Sequence, residues 1–310
     1  MTGVPQDSNR SPAVAGAHVK QSPILDLEAS IAGAAFNVAP ERADELMEAV
    51  PNITLELVRV PKFHVSVVVK SGEIRIGIAT AEYLWATAAM LHELYRVFVA
   101  AQERDETHID LSLQDAFCER LTLFRWALEN LRGSGQAPWP DGSLRPQIKP
   151  HPQDDNDAML AALGWILHHE IAHHRRKHRS QGSSIYSVQE ETEADEDAVD
   201  WVFEKCPDKQ LVFRQIAMLI GLMAIQYLEV PTGPVTAVGS HPPTTERLYR
   251  CLDRSGAAED GVVRAFAAIA MHFQLCQHGL SAPLDGNSFQ EIMDGALAEF
   301  VTARRKVSEL

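Results

Sequence analysis

Residues 165–178, WILHHEIAHHRRKH, constrain this chain more than any other stretch, because they set His169, Glu170 and His173 in the pattern HExxH. On an α-helix, side chains four apart lie one above the other, so His169 and His173 can present two imidazole nitrogens to one ion. The apolar residues Ala162, Trp165 and Ile166 share that face. A fold built on this helix must bury its support and keep its end open as a site. Imidazole suits zinc, and a catalytic zinc takes three protein ligands and leaves a fourth position to water. Glu170, next to the first ligand, is placed to take the proton of a water attacking a carbonyl. The pattern predicts metal-assisted hydrolysis of a peptide bond. The rest of the basic helix end, from His174 to Arg179 and including His178, is expected to be solvated charge that complements the helix macrodipole. A near-motif at 92–96, HELYR, has Arg96 where the second His is needed.

A third ligand must come from an element that folds back on this helix. The polar loop at 180–187 is long enough for the next helix to return antiparallel, and that helix reads QEETEADEDAVDWVF. Glu191 and Asp195 are four apart on one face, with Ala194, Ala198 and Val199 on an adjoining apolar strip. Glu191 is expected as the third metal ligand. Asp195 is expected to accept a hydrogen bond from a ligand imidazole and so fix its tautomer. Glu190, Glu193, Glu196 and Asp197 are expected to be surface charges of an acidic helix start.

Charge and cysteine usage narrow the class further. A net charge of −14 with no basic arm argues against a nucleic-acid partner held through phosphates. The four cysteines lack any CxxC pair, and a 310-residue chain needs no disulfide framework, which predicts reduced thiols in a cytoplasm. The longest uninterrupted apolar run, residues 216–225, covers ten positions. A membrane span needs about 20, so a buried core helix is expected instead.

The pattern divides the chain into four regions. Residues 1–22 read as a disordered tail without the apolar core of a signal peptide. Residues 23–131 hold a short helix at 24–37 and strands at 53–57, 65–69 and 74–78. Helices follow at 81–102 and 113–131. Residues 132–154, rich in Gly, Pro and Asp, form a linker or an active-site loop. Residues 155–310 are helical, with the central helix capped by Asn156 and Asp157. The fold class is mostly helical α+β with a small antiparallel sheet, and the hairpin at 65–78 is the expected edge for a peptide substrate to pair with.

HHEIAHH followed by ETEADEDA resembles the gluzincin metallopeptidases with HExxH and ExxAD motifs, especially the M48-type group. In that group the Glu of the second motif is the third zinc ligand, which implies the same role for Glu191. Residues 240–250, SHPPTTERLYR, resemble the downstream His-Pro segment and Arg of M48-type enzymes. That likeness implies that His241 stabilises the oxyanion and that Arg247 braces the carboxylates of the site. Among soluble chains the nearest resemblance is to the Lit-type phage-exclusion peptidases (family U49). It implies a zincin-like fold, a cytoplasmic protease with a protein substrate, and an activating protein partner. The competing reading is a catalytically silent zinc-binding interaction or regulatory protein. A structural site of that kind would close the fourth coordination position with another Cys or His.

Overall fold

The computed structural model describes residues 22–308, apart from 61, 107, 134–137, 141–151, 179–185, 230–241 and 285. A 3-10 turn, Pro23–Leu27, opens the described chain, and Ser22 caps it by accepting from the Ile24 amide. Short helices α1 (Glu28–Ala32), α2 (Ala34–Asn37) and α3 (Ala43–Ala49) follow. The strands are β1 (Thr54–Val58), β2 (Val65–Val68) and β3 (Glu73–Gly77). Then come α4 (Ile78–Glu103), α5 (Asp115–Arg132), α6 (Pro152–Arg175) and α7 (Val188–Phe203). The chain ends on α8 (Asp208–Gln226), α9 (Thr244–Arg254), α10 (Val262–Gln277) and α11 (Phe289–Ser308). The mostly helical α+β class is as expected.

The helix α6 runs through the middle, packed against α2, α4, α7, α8 and β2. Leu163, Trp165, Ile166, Leu167, Ile171 and Ala172 are all buried, so apolar residues surround it on several sides, as in a helix enclosed by a core. One continuous cluster of buried side chains reaches from Ile24 to Phe300. Gly164 lets α2 lie directly on α6: a Cβ there would stand 2.7 Å from Val38 Cβ and 2.8 Å from the Ala34 carbonyl oxygen. In α8, residues 217–224 are buried, and no helix among the described residues is long and apolar enough to cross a membrane.

The sheet is mixed, where a purely antiparallel one was expected. Its order is β1-β3-β2, with β2 antiparallel to β3 and β1 parallel to it. The β2–β3 hairpin is the expected one, and Gly72 takes the left-handed conformation its turn requires, at φ 77°. The outer edge of β2 faces α6: the Val67 amide donates to Glu170 Oε2 at 3.0 Å, and His174 Nδ1 lies 2.5 Å from the Val69 carbonyl oxygen. With that edge engaged, β1 pairs on the far side of β3. Residue alternation reports which face is buried and carries no information about strand direction.

The central helix starts at Pro152, four residues before the expected cap. Proline suits a first helical position because its fixed φ is already helical. Asn156 instead accepts a hydrogen bond from Trp85 Nε1 at 2.9 Å, and the buried Asp155 pairs with Arg120 at 3.0 Å, so this first turn is tied to α4 and α5. Part of the expected linker is packed too. Trp139 is buried and stacked on Trp126, 4.2 Å between ring centroids.

Candidate metal centre

Three helices build the site. The first, α6, brings His169 and His173, whose Nε2 atoms lie 3.2 Å apart. The second, α7, brings Glu191, with Oε2 3.2 Å from His169 Nε2 and 3.7 Å from His173 Nε2. All three residues are buried, at 5%, 0% and 0% exposure. Among the described residues these are the ones whose donor atoms lie mutually within 4.8 Å as a metal-binding group. Two ligands about 2.0–2.1 Å from a zinc ion, at the tetrahedral angle, stand about 3.4 Å from each other. The observed edges of the donor triangle bracket that value, and the set of two imidazoles and one carboxylate suits a catalytic rather than a closed structural site. The residues present therefore fit a divalent metal ion.

The start of α7 is pinned by a capping box. Ser187 Oγ accepts from the Glu190 amide at 3.2 Å, and the Glu190 carboxylate accepts from the Ser187 amide at 2.7 Å. With its first turn fixed, the helix aims Glu191 and, one turn later, Asp195 at α6. The buried Ala194 and Ala198 share that packed face and have no bulk to hold the helices apart. Glu190 is thus a cap rather than plain surface charge. Glu193 and Asp197 are half-buried and face the basic end of α6, with Arg176 3.5 Å from each.

The other ring nitrogens are held as well. His169 Nδ1 donates to Asp195 Oδ1 at 2.9 Å. Arg247, on α9, clasps the same carboxylate, donating from Nε to Oδ2 at 2.8 Å and from Nη2 to Oδ1 at 2.7 Å. Asp195 and Arg247 are both buried. Burial alone would favour the neutral Asp195 carboxyl, but the charge of Arg247 and the hydrogen bonds of His169 and Arg247 hold its pKa well below the usual range. Burial likewise disfavours a charged His169, yet hydrogen bonds to Asp195 and Glu191 lift it to about 9. His173 goes the other way, to about 4, because desolvation outweighs the pull of Glu191. The asymmetry follows from what stands behind each ring: a carboxylate behind His169, another imidazole behind His173.

That second imidazole belongs to His178. The helix ends in a Schellman motif, with the His178 amide bonded to the His173 carbonyl and the Lys177 amide to the His174 carbonyl, each at 3.1 Å. Lys177 occupies the left-handed position at φ 56°. The turn folds His178 back over His173, so it is buried at 6% exposure with its Nδ1 2.7 Å from His173 Nδ1. Tyr186 stacks on the face of His173, the two rings 3.6 Å apart and nearly parallel at 6°. The expected role of His178 as solvated helix-end charge is therefore corrected.

A family model, Peptidase U49, matches residues 74–267 and so takes in every helix of this site. The chain belongs to the Peptidase U49 family. A curated relative from Escherichia coli (strain K12), described as a cell death peptidase, is 27% identical over 293 residues, covering 90% of this chain and 97% of its own length. No solved structure matches. Membership makes this U49 chain a peptidase, a hydrolase acting on protein. The M48-type assignment is not supported: the matching family is U49. His241, whose role rested on the M48 likeness, lies outside the described residues.

Proposed function

We propose that this chain is a zinc-dependent endopeptidase that hydrolyses a peptide bond of a protein substrate, and that it acts in phage exclusion. The observation that carries the reading is the buried donor triangle of His169, His173 and Glu191 within a chain of the U49 family. The description of the Escherichia coli relative as a cell death peptidase supports the biological role. A zinc ion held by His169, His173 and Glu191 supplies Lewis-acid polarisation of a carbonyl oxygen and acidifies water. Glu170 takes the proton from the attacking water at its carboxylate and passes it to the departing amine nitrogen. Before substrate binds, the Val67 amide holds that carboxylate through its Oε2. Asp195 keeps the His169 proton on Nδ1, leaving Nε2 to face the site, and Arg247 holds Asp195 in place. Because Glu170 and His174 occupy two outward groups of β2, a substrate strand pairing along that edge must displace them.

The test is metal content and proteolysis of the wild type, Glu170→Gln and Glu191→Ala side by side. Glu170→Gln should keep its zinc, since Gln still accepts from Val67, and lose about 10²- to 10⁴-fold in cleavage rate. Glu191→Ala should lose the metal. Undiminished cleavage by Glu170→Gln would reject the assignment of the base, and stoichiometric zinc in Glu191→Ala would remove the third ligand.

A further inference from the structure

We propose that His178 is a positioning residue for metal binding: it accepts the Nδ1 proton of His173 and so commits His173 to present Nε2 to the ion. The inference rests on the metal reading above and adds a residue and a tautomer to it. His173 Nε2 is the nitrogen that faces His169 and Glu191. For that nitrogen to carry a lone pair, the proton of a neutral imidazole must sit on Nδ1. The atom at 2.7 Å from it is His178 Nδ1. A bond between two ring nitrogens requires one donor and one acceptor, so His178 must be unprotonated at Nδ1 and carry its own proton on Nε2. The Glu193 carboxylate, 3.5 Å from His178 Nε2, is the group that favours this tautomer. Tyr186, lying flat on His173, leaves that ring little freedom to turn away.

The backbone explains how the contact arises. In a Schellman motif the residue after the left-handed position commonly packs on the residue five before it. Here those two residues are His178 and His173, so an ordinary helix stop brings a hydrogen-bond acceptor to a ligand. A packing role alone would be met by any flat ring at 178, whereas the positioning role needs an acceptor atom there.

The experiment uses the full chain, zinc as the probe and a chromophoric chelator in competition, on the wild type, His178→Phe and His178→Gln. The phenylalanine keeps the ring and lacks the acceptor. It should weaken zinc binding about 10- to 100-fold, the range for losing a partner of a ligating histidine. The glutamine offers a carbonyl oxygen and should recover most of that loss. Equal affinity in His178→Phe and the wild type would overturn the proposal while leaving the metal site standing. Nitrogen-15 imidazole spectra of the zinc-loaded wild type give an independent reading should His178→Phe fail to fold. They should show the proton on Nδ1 of His173 and on Nε2 of His178, and a proton on Nδ1 of His178 would overturn the inference. A wild type that takes up no zinc would overturn the metal reading and this one with it.

Discussion

Replacing Arg247 tests the interior of the site most directly. Its guanidinium donates two short hydrogen bonds to the Asp195 carboxylate, and the pair is buried, at 4% and 0% exposure. In Arg247→Leu the carboxylate keeps His169 as a donor but loses its counter-charge in a place water does not reach. Breaking one side of a buried pair costs about 3–5 kcal/mol, because the remaining charge is left uncompensated. For a chain of this size that corresponds to a fall in melting temperature of about 5–8 °C. A second effect should appear at the metal, since a mobile Asp195 no longer fixes the His169 tautomer. Zinc affinity should drop by about 10- to 100-fold. Arg247→Lys should fall between, because an ammonium restores the charge without spanning both carboxylate oxygens. Thermal melts and chelator competition measure both quantities. A double-mutant cycle with Asp195→Asn should give a coupling of about 2 kcal/mol or more. An Arg247→Leu protein that melts with the wild type and binds zinc equally well would show that the Asp195 carboxylate does not depend on this clasp.

Three further outcomes follow from the same structure. Gly164→Ala should destabilise the fold by about 1–3 kcal/mol in urea denaturation, since the new methyl meets Val38 Cβ and the Ala34 carbonyl oxygen below 3.0 Å. Gly221→Ala, whose nearest neighbour would be 3.4 Å away, should gain up to about 1 kcal/mol from helix propensity, and equal effects at both positions would contradict the packing. Lys177→Gly should be neutral or stabilising by up to about 1 kcal/mol in the same assay, because glycine adopts the left-handed Schellman position without a Cβ penalty. His168 is buried against the Ala35 carbonyl oxygen and desolvation depresses it to about 4, below the ordinary 6.5. The unfolded chain therefore binds the extra proton first, so this stabilisation is complete above pH 6.5 and lost as pH falls toward 4. The loss is about 3 kcal/mol. His168→Phe should flatten that limb of the stability–pH curve, and an unchanged slope would refute the assignment.

Helical periodicity carried most of the fold. The period-3.6 stretches at 81–102 and 113–131 appear as α4 and α5 with ends shifted by a few residues, and the strands at 53–57, 65–69 and 74–78 appear within one residue at each end. What periodicity could not supply was the partner of each face. Alternation along Ile53, Leu55 and Leu57 shows a half-buried strand, yet the parallel pairing of β1 follows from Glu170 and His174 engaging the outer edge of β2, a contact more than 100 residues away in sequence. The sequence pattern does not reveal the short α3, because Asp44, Glu45 and Glu48 surround a single buried anchor, Leu46. Asn156 reads as a helix cap, and Asp155 just ahead of it as the edge of the helical region, because such residue types favour helix starts. Their real partners, Arg120 and Trp85, lie on other helices.

The legibility of the site divides along the same physical line. His169 and His173, and likewise Glu191 and Asp195, are spaced by four, and that spacing alone puts each pair on one helical face, so the sequence brought together side chains that the structure also brings together. His178 stands five beyond His173, a spacing that points away from the site on a continuing helix. It reaches the ligand ring only because the helix stops at Arg175 and the chain turns back through a left-handed Lys177. A glycine at that position would have announced the turn; a lysine within the run RRKHR reads instead as solvated charge. The same basic run is half neutralised by Glu193 and Asp197 across the helix interface, which the sequence shows only as two oppositely charged blocks. Those blocks face each other across the interface between α6 and α7. The alignment that pairs Arg175 and Arg176 with Glu193 and Asp197 is the one that sets Glu191 beside His169, so the charge pattern at the rim and the buried donors report the same helix register.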